Sequence, residues 1–147
     1  MDNLDEFINN LQEQIFEETR QAFGEKGFQR WRNPKFAGIM SDPDAHGRIT
    51  GSCGDTMEIF LKFENECVKE GSYMTDGCGS SSISGSFAVE LILGKSVDEL
   101  ADITGEDVLG KIGRLPDEDK HCASLAALTI QDALTNYMKS GKPLEQR

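Results

Sequence analysis

The chain has 147 residues and a mass of 16.2 kDa, enough for one domain with a real hydrophobic core. With 37% apolar and 28% charged residues it fits neither a disordered tail nor a membrane protein. Its 15 basic and 26 acidic residues leave a net charge of −11, the wrong sign for nucleic acid or an anionic membrane, so basic protein surfaces and cations are the partners it favours. No apolar run approaches the roughly 18 residues of a membrane span. The acidic N-terminus has no signal-peptide apolar core, so the expected compartment is the cytoplasm, where thiols stay reduced.

Residues 1–24 read as an N-terminal amphipathic helix that Gly24 stops. Leu4, Phe7, Ile8, Leu11, Ile15 and Ala22 fall on one stripe at 3.6-residue spacing, and the other face is acidic. Such a helix is expected to pack its stripe on the domain and leave its acids in water. Residues 24–56 are punctuated by glycine and proline and read as irregular, with a short strand near Arg48–Ser52. Met57, Ile59, Leu61 and Phe63 alternate with polar or outward positions, which is strand periodicity, and Cys67–Thr75 returns as the second arm of a hairpin. Beyond it the chain reads as helical. A helix over Ser81–Leu93 ends at Gly94, Ser96 to Glu99 is a capping box, and Thr104 opens another helix. A long last helix runs from about Lys120 to Ser140, with Gly141 and Pro143 ending it. The order predicts an α+β fold in a single domain over 1–147. It has a small antiparallel sheet of about three strands, helices packed on one face, and a long C-terminal helix.

Two short motifs lead nowhere. Gly94-Lys95-Ser96 resembles the tail of a phosphate-binding loop, but Val89 stands where that loop needs glycine. Gly77-Cys78-Gly79 opens like a dinucleotide fingerprint, but Ser82 takes the place of its third glycine. With His46 and His121 the only histidines, a histidine-dominated metal site is excluded. His121 and Cys122 are neighbours on a helix and point about 100° apart, so adjacency does not make them a hydrogen-bonded dyad.

The cysteines differ in context. Cys53 lies in Ser52-Cys53-Gly54-Asp55 at a strand end, Cys78 lies between two glycines just before a helix, and Cys122 lies in the first turn of the last helix. Helix N-termini lower a thiol pKa, so Cys78 and Cys122 are expected to be activated. Cys67, inside the hairpin, reads as a small hydrophobe. Three activated thiolates with an aspartate and a histidine nearby suit a soft metal.

Asn33-Pro34, Cys53-Gly54-Asp55, Gly77-Cys78-Gly79-Ser80 and Leu115-Pro116 followed by His121-Cys122 occur together in this order. The ordered set closely resembles the iron–sulfur cluster scaffold family of IscU and the NifU N-terminal domain, over about residues 30–140. The resemblance implies a scaffold rather than an enzyme, on which a 2Fe–2S cluster is assembled and then released. It implies a cysteine desulfurase as sulfur donor and apo iron–sulfur proteins as acceptors, with no nucleic acid and no membrane. Carried over residue by residue, the ligands are Cys53, Cys78 and Cys122, with Asp55 or His121 completing the coordination. The same set can hold zinc when no cluster is present. A hard carboxylate beside three thiolates is a weak fourth ligand, as a donor site requires. The alternative is a zinc-dependent sulfurtransferase that takes persulfide from a desulfurase; that branch carries an insertion between its second and third cysteines, and none is evident between Cys78 and Cys122. A cluster shared across a homo-oligomer stays open. Asp117-Glu118-Asp119 replaces the Pro-Val-Lys that IscU-type scaffolds present to an Hsp70 chaperone, so that recognition is not expected here.

Overall fold

Strand periodicity in the middle of the chain produces a three-stranded antiparallel sheet in the order β1-β2-β3, with β1 Ala45–Thr50, β2 Thr56–Glu64 and β3 Cys67–Thr75. We describe residues 2–140 from a computed structural model, with side chains from residue 3 onward; the expected helix stop at Gly141 and Pro143 lies outside the described residues. Met57, Ile59, Leu61 and Phe63 line one face of β2 and are buried, as the alternation requires. On the other face the Phe60 ring stacks on His46, with ring centroids 4.5 Å apart.

Helices pack on the apolar side of the sheet, chiefly the second and the last of them directly on it. They are α1 Asp2–Arg32, α2 Gly79–Ile92, α3 Val97–Leu100, α4 Gly105–Ile112 and α5 His121–Lys139, with a 3-10 turn at Asp117–Asp119 before the last. Ser96 and Thr104 head full capping boxes, so the sequence signals that open α3 and α4 act as expected. The long α5 lies on the sheet against β1. The approach is closest at Gly47, where a Cβ would fall 2.3 Å from the Thr129 carbonyl oxygen and 2.5 Å from the Ala133 nitrogen. Only glycine permits that contact.

Two expectations for the N-terminal region are corrected. Residues 25–32 are helical, not irregular. Phe28 is fully buried and Trp31 stacks on it, and this tertiary packing outweighs the low helix propensity of Gly27. Gly24, at φ 76° and ψ 173°, breaks α1 into two helical arms. Phe16 and Phe28 would stand about 18 Å apart along a straight helix. Their ring centroids are 5.9 Å apart, so Gly24 forms a sharp corner. The second correction concerns the apolar stripe. Leu4, Phe7, Ile8, Leu11 and Ile15 are 42–63% exposed, because the corner folds the first arm back on Phe28 and Trp31 through Phe16 and leaves its N-terminal half uncovered by the other described residues.

The second arm is anchored to α2. Arg30 pairs with Glu90 at 2.6 Å, donates to Ser86 Oγ at 3.0 Å, and sits 4.0 Å from the centre of the Phe87 ring. Lys111 reaches the same carboxylate at 3.3 Å.

Candidate metal centre

The sheet register brings Thr50, Thr56 and Thr75 to one end of the sheet. The chain leaves the sheet there twice, and each exit carries a cysteine. The first is the turn 51–55. The Gly51 N–H donates to the Asp55 carbonyl (2.8 Å) and the Gly54 N–H to the Gly51 carbonyl (3.0 Å), closing a turn that leaves Cys53 exposed. The second is the segment after β3. Here the Thr56 N–H donates to Asp76 Oδ1 (2.7 Å), Thr75 Oγ1 donates to the Thr56 carbonyl (2.8 Å), and the Gly77 N–H donates to Thr75 Oγ1 (3.0 Å). The two cysteine-bearing segments are therefore tied through backbone groups. Cys78 is the N-cap residue of α2; its carbonyl accepts from the Ser81 and Ser82 N–H groups, and its side chain is exposed.

The third cysteine arrives from above, as the second residue of α5. Cys122 is buried, and its Sγ lies 3.5 Å from Ser81 Oγ. Ser81 Oγ also donates to Asp55 Oδ2 at 3.0 Å, and Ser80 Oγ donates to Asp119 Oδ2 at 2.8 Å. His121 Nε2 stands 3.7 Å from Cys122 Sγ. That contact corrects the expectation that sequence neighbours on a helix stay apart. His121 is the exposed first residue of α5, and its ring is long enough to reach back across the turn.

The electrostatics correct a second expectation. Burial pushes the Cys122 thiol above its ordinary pKa; the Ser81 hydrogen bond opposes this, while Cys78, Asp119 and Cys53 push it further up. Desolvation is the largest influence on this sulfur. The same neighbours show that all three thiols share one electrostatic environment. As they stand, no three His, Cys, Asp or Glu side chains among the described residues are gathered tightly enough to grip one ion. The donor set itself, three thiols with a carboxylate and an imidazole, fits iron–sulfur chemistry or zinc.

Cys67 is elsewhere. It begins β3 opposite Glu64, at the hairpin end of the sheet, about 26 Å of strand away from Thr75. It is half-buried. Sequence reasoning did not single out Ser80, Ser81 and Asp119 as site residues. The available signal was a run of hydroxyls opening a helix in which Ser80, Ser81, Ser84 and Ser86 are all buried, although serine usually stays at the surface.

The profile of the NifU-like N terminal domain family matches residues 22–143, and the chain belongs to that family. It is 32% identical over 122 residues to the iron-sulfur cluster assembly scaffold protein IscU 1 of Archaeoglobus fulgidus, covering 82% of this chain and 80% of that protein. It is 30% identical over 124 residues to the scaffold protein IscU of Aquifex aeolicus, covering 82% and 79%. Against the nitrogen fixation protein NifU of Azotobacter chroococcum the identity is 33% over 118 residues, which is 78% of this chain and 38% of the relative. The crystal structure of a NifU-like N-terminal protein from Brucella abortus superposes with a TM-score of 0.62 at 17% identity, covering 84% of this chain and 98% of that one, which shows a shared fold. Among the described residues no helix is long and apolar enough to cross a membrane.

Proposed function

We propose that this protein is a scaffold on which a 2Fe–2S cluster is built on Cys53, Cys78 and Cys122 and then passed to apo iron–sulfur acceptor proteins. The observation that carries the reading is the meeting of three cysteine-bearing segments, from a β-turn and two helix starts, at one end of the fold. Family membership and the relatives named as iron-sulfur cluster assembly scaffolds support it. Iron and sulfide are cargo in this reading, with a cysteine desulfurase as the sulfur donor. Asp55 and His121 are the candidates for the remaining coordination position; His121 touches Cys122 directly, and Asp55 is linked to it through the Ser81 hydroxyl. Two thiols are exposed and one is buried, so cargo is anchored on its buried side at Cys122 and reached by partners from the side of Cys53 and Cys78. The same donors hold zinc when iron and sulfide are absent.

Anaerobic reconstitution with iron and sulfide, followed by absorption spectroscopy, tests the proposal. The expected result is a thiolate-to-iron charge-transfer spectrum of a 2Fe–2S cluster that moves to an apo-ferredoxin. A protein that binds only zinc and accepts persulfide sulfur without forming a cluster would instead be a sulfurtransferase.

A further inference from the structure

We propose that Ser81 is a positioning residue of this site, holding the Asp55 carboxylate in place to meet a metal beside Cys122. The inference rests on the reading of the three cysteines as ligands and adds a residue that this reading does not contain. Three observations carry it.

The first is the path of contacts. Ser81 is fully buried, and its hydroxyl stands between Asp55 Oδ2, at 3.0 Å, and Cys122 Sγ, at 3.5 Å. It bridges the turn after β1 to the start of α5 from a third element, α2. The second is the space. A Cβ on Gly77 would fall 2.5 Å from Ser81 Oγ and 2.7 Å from Asp55 Oδ2. The loop that carries Cys78 is therefore packed directly on the Ser81–Asp55 pair, and neither side chain has room to turn toward that loop. The third is what the bond leaves over. It engages Oδ2 and leaves Oδ1 without a hydrogen bond among the described residues. A carboxylate fixed by one oxygen and free at the other is arranged for single-point coordination.

Groups that orient a ligand from behind typically alter metal affinity ten- to hundredfold when removed. Asp55 sits in a short turn with glycine on one side, and without the Ser81 hydrogen bond its side chain is free to rotate into solvent.

Cobalt(II) alone is a suitable probe, because thiolate-to-cobalt bands report the sulfurs and the d–d bands report the complete donor set. Wild type, Ser81→Ala, Asp55→Ala and the double variant are titrated, with Ser81→Gly as a second truncation should the alanine variant fold poorly. The expected result is a ten- to hundredfold weaker affinity for Ser81→Ala, with thiolate bands kept and d–d bands shifted toward those of Asp55→Ala. In the Asp55→Ala background the serine truncation should change affinity less than twofold. Wild-type affinity and d–d bands in Ser81→Ala, or an undiminished loss in the double variant, would overturn the role of Ser81 and leave the cysteine site intact. A wild-type protein that gives no thiolate bands would overturn the cysteine site and the role of Ser81 together.

Discussion

Replacing a cysteine by serine keeps its approximate size and exchanges a soft sulfur for a hard oxygen. At Cys53, Cys78 and Cys122 that exchange is expected to abolish the reconstituted chromophore, while Cys67→Ser keeps it, because Cys67 begins β3 at the opposite end of the sheet. Absorption after anaerobic reconstitution of the four single variants is the measurement; equal loss in Cys67→Ser and Cys78→Ser would count against the assignment. The places of these cysteines were readable in the sequence because glycine neighbours and helix starts mark them locally. Their environments were not. The raised thiol pKa of Cys122 comes from burial under residues distant in the chain, and the partners of Ser80 and Ser81 arrive from other elements. No local pattern encodes which carboxylate a buried hydroxyl will meet.

Pairs of elements carry the next two predictions. Gly47→Ala forces a methyl group onto the backbone of α5, and neither the strand nor the helix can yield cheaply. A loss of about 2–3 kcal/mol is expected from urea unfolding, in the range of an overpacked core. The second pair is α1 with α2. Burial would raise the Glu90 carboxyl, but Arg30 and then Lys111 outweigh it and hold its pKa below the ordinary value. A carboxyl depressed in the folded state stabilises the fold above its unfolded pKa, and that contribution disappears as the pH falls through the folded value. Glu90→Gln is therefore expected to destabilise the protein by about 1–3 kcal/mol at neutral pH, with the difference from wild type shrinking in acid. Urea midpoints at pH 7 and pH 3 check both the size and the sign. Strand periodicity and capping boxes made β2, β3, α3 and α4 legible in advance. The arm after Gly24 was hidden because its helix depends on the burial of Phe28 and the Arg30–Glu90 pair, not on propensity.

For the molecule as a whole, the exposed stripe of α1 sets an expectation about stability. Leu4, Phe7 and Leu11 are already in water, so replacing all three by glutamine should change the thermal midpoint by less than the equivalent of about 0.5 kcal/mol. A clear loss on thermal unfolding would mean that the stripe is covered in solution. The matched family region begins at residue 22, so this arm lies almost wholly outside it. How the arm is aimed depends on the corner at Gly24. The arm from residue 2 to residue 23 is a rod of about 33 Å, and a rotation of 10° at its base moves its tip by about 6 Å. The rod is pinned near its base, where the Phe16, Phe28 and Trp31 rings meet. A glycine's two dihedral angles thus work as the pivot of a long lever. A small adjustment at this one residue re-aims an entire apolar surface, and it does so close to the start of α2, where Trp31 and Phe23 border Gly79, the neighbour of Cys78.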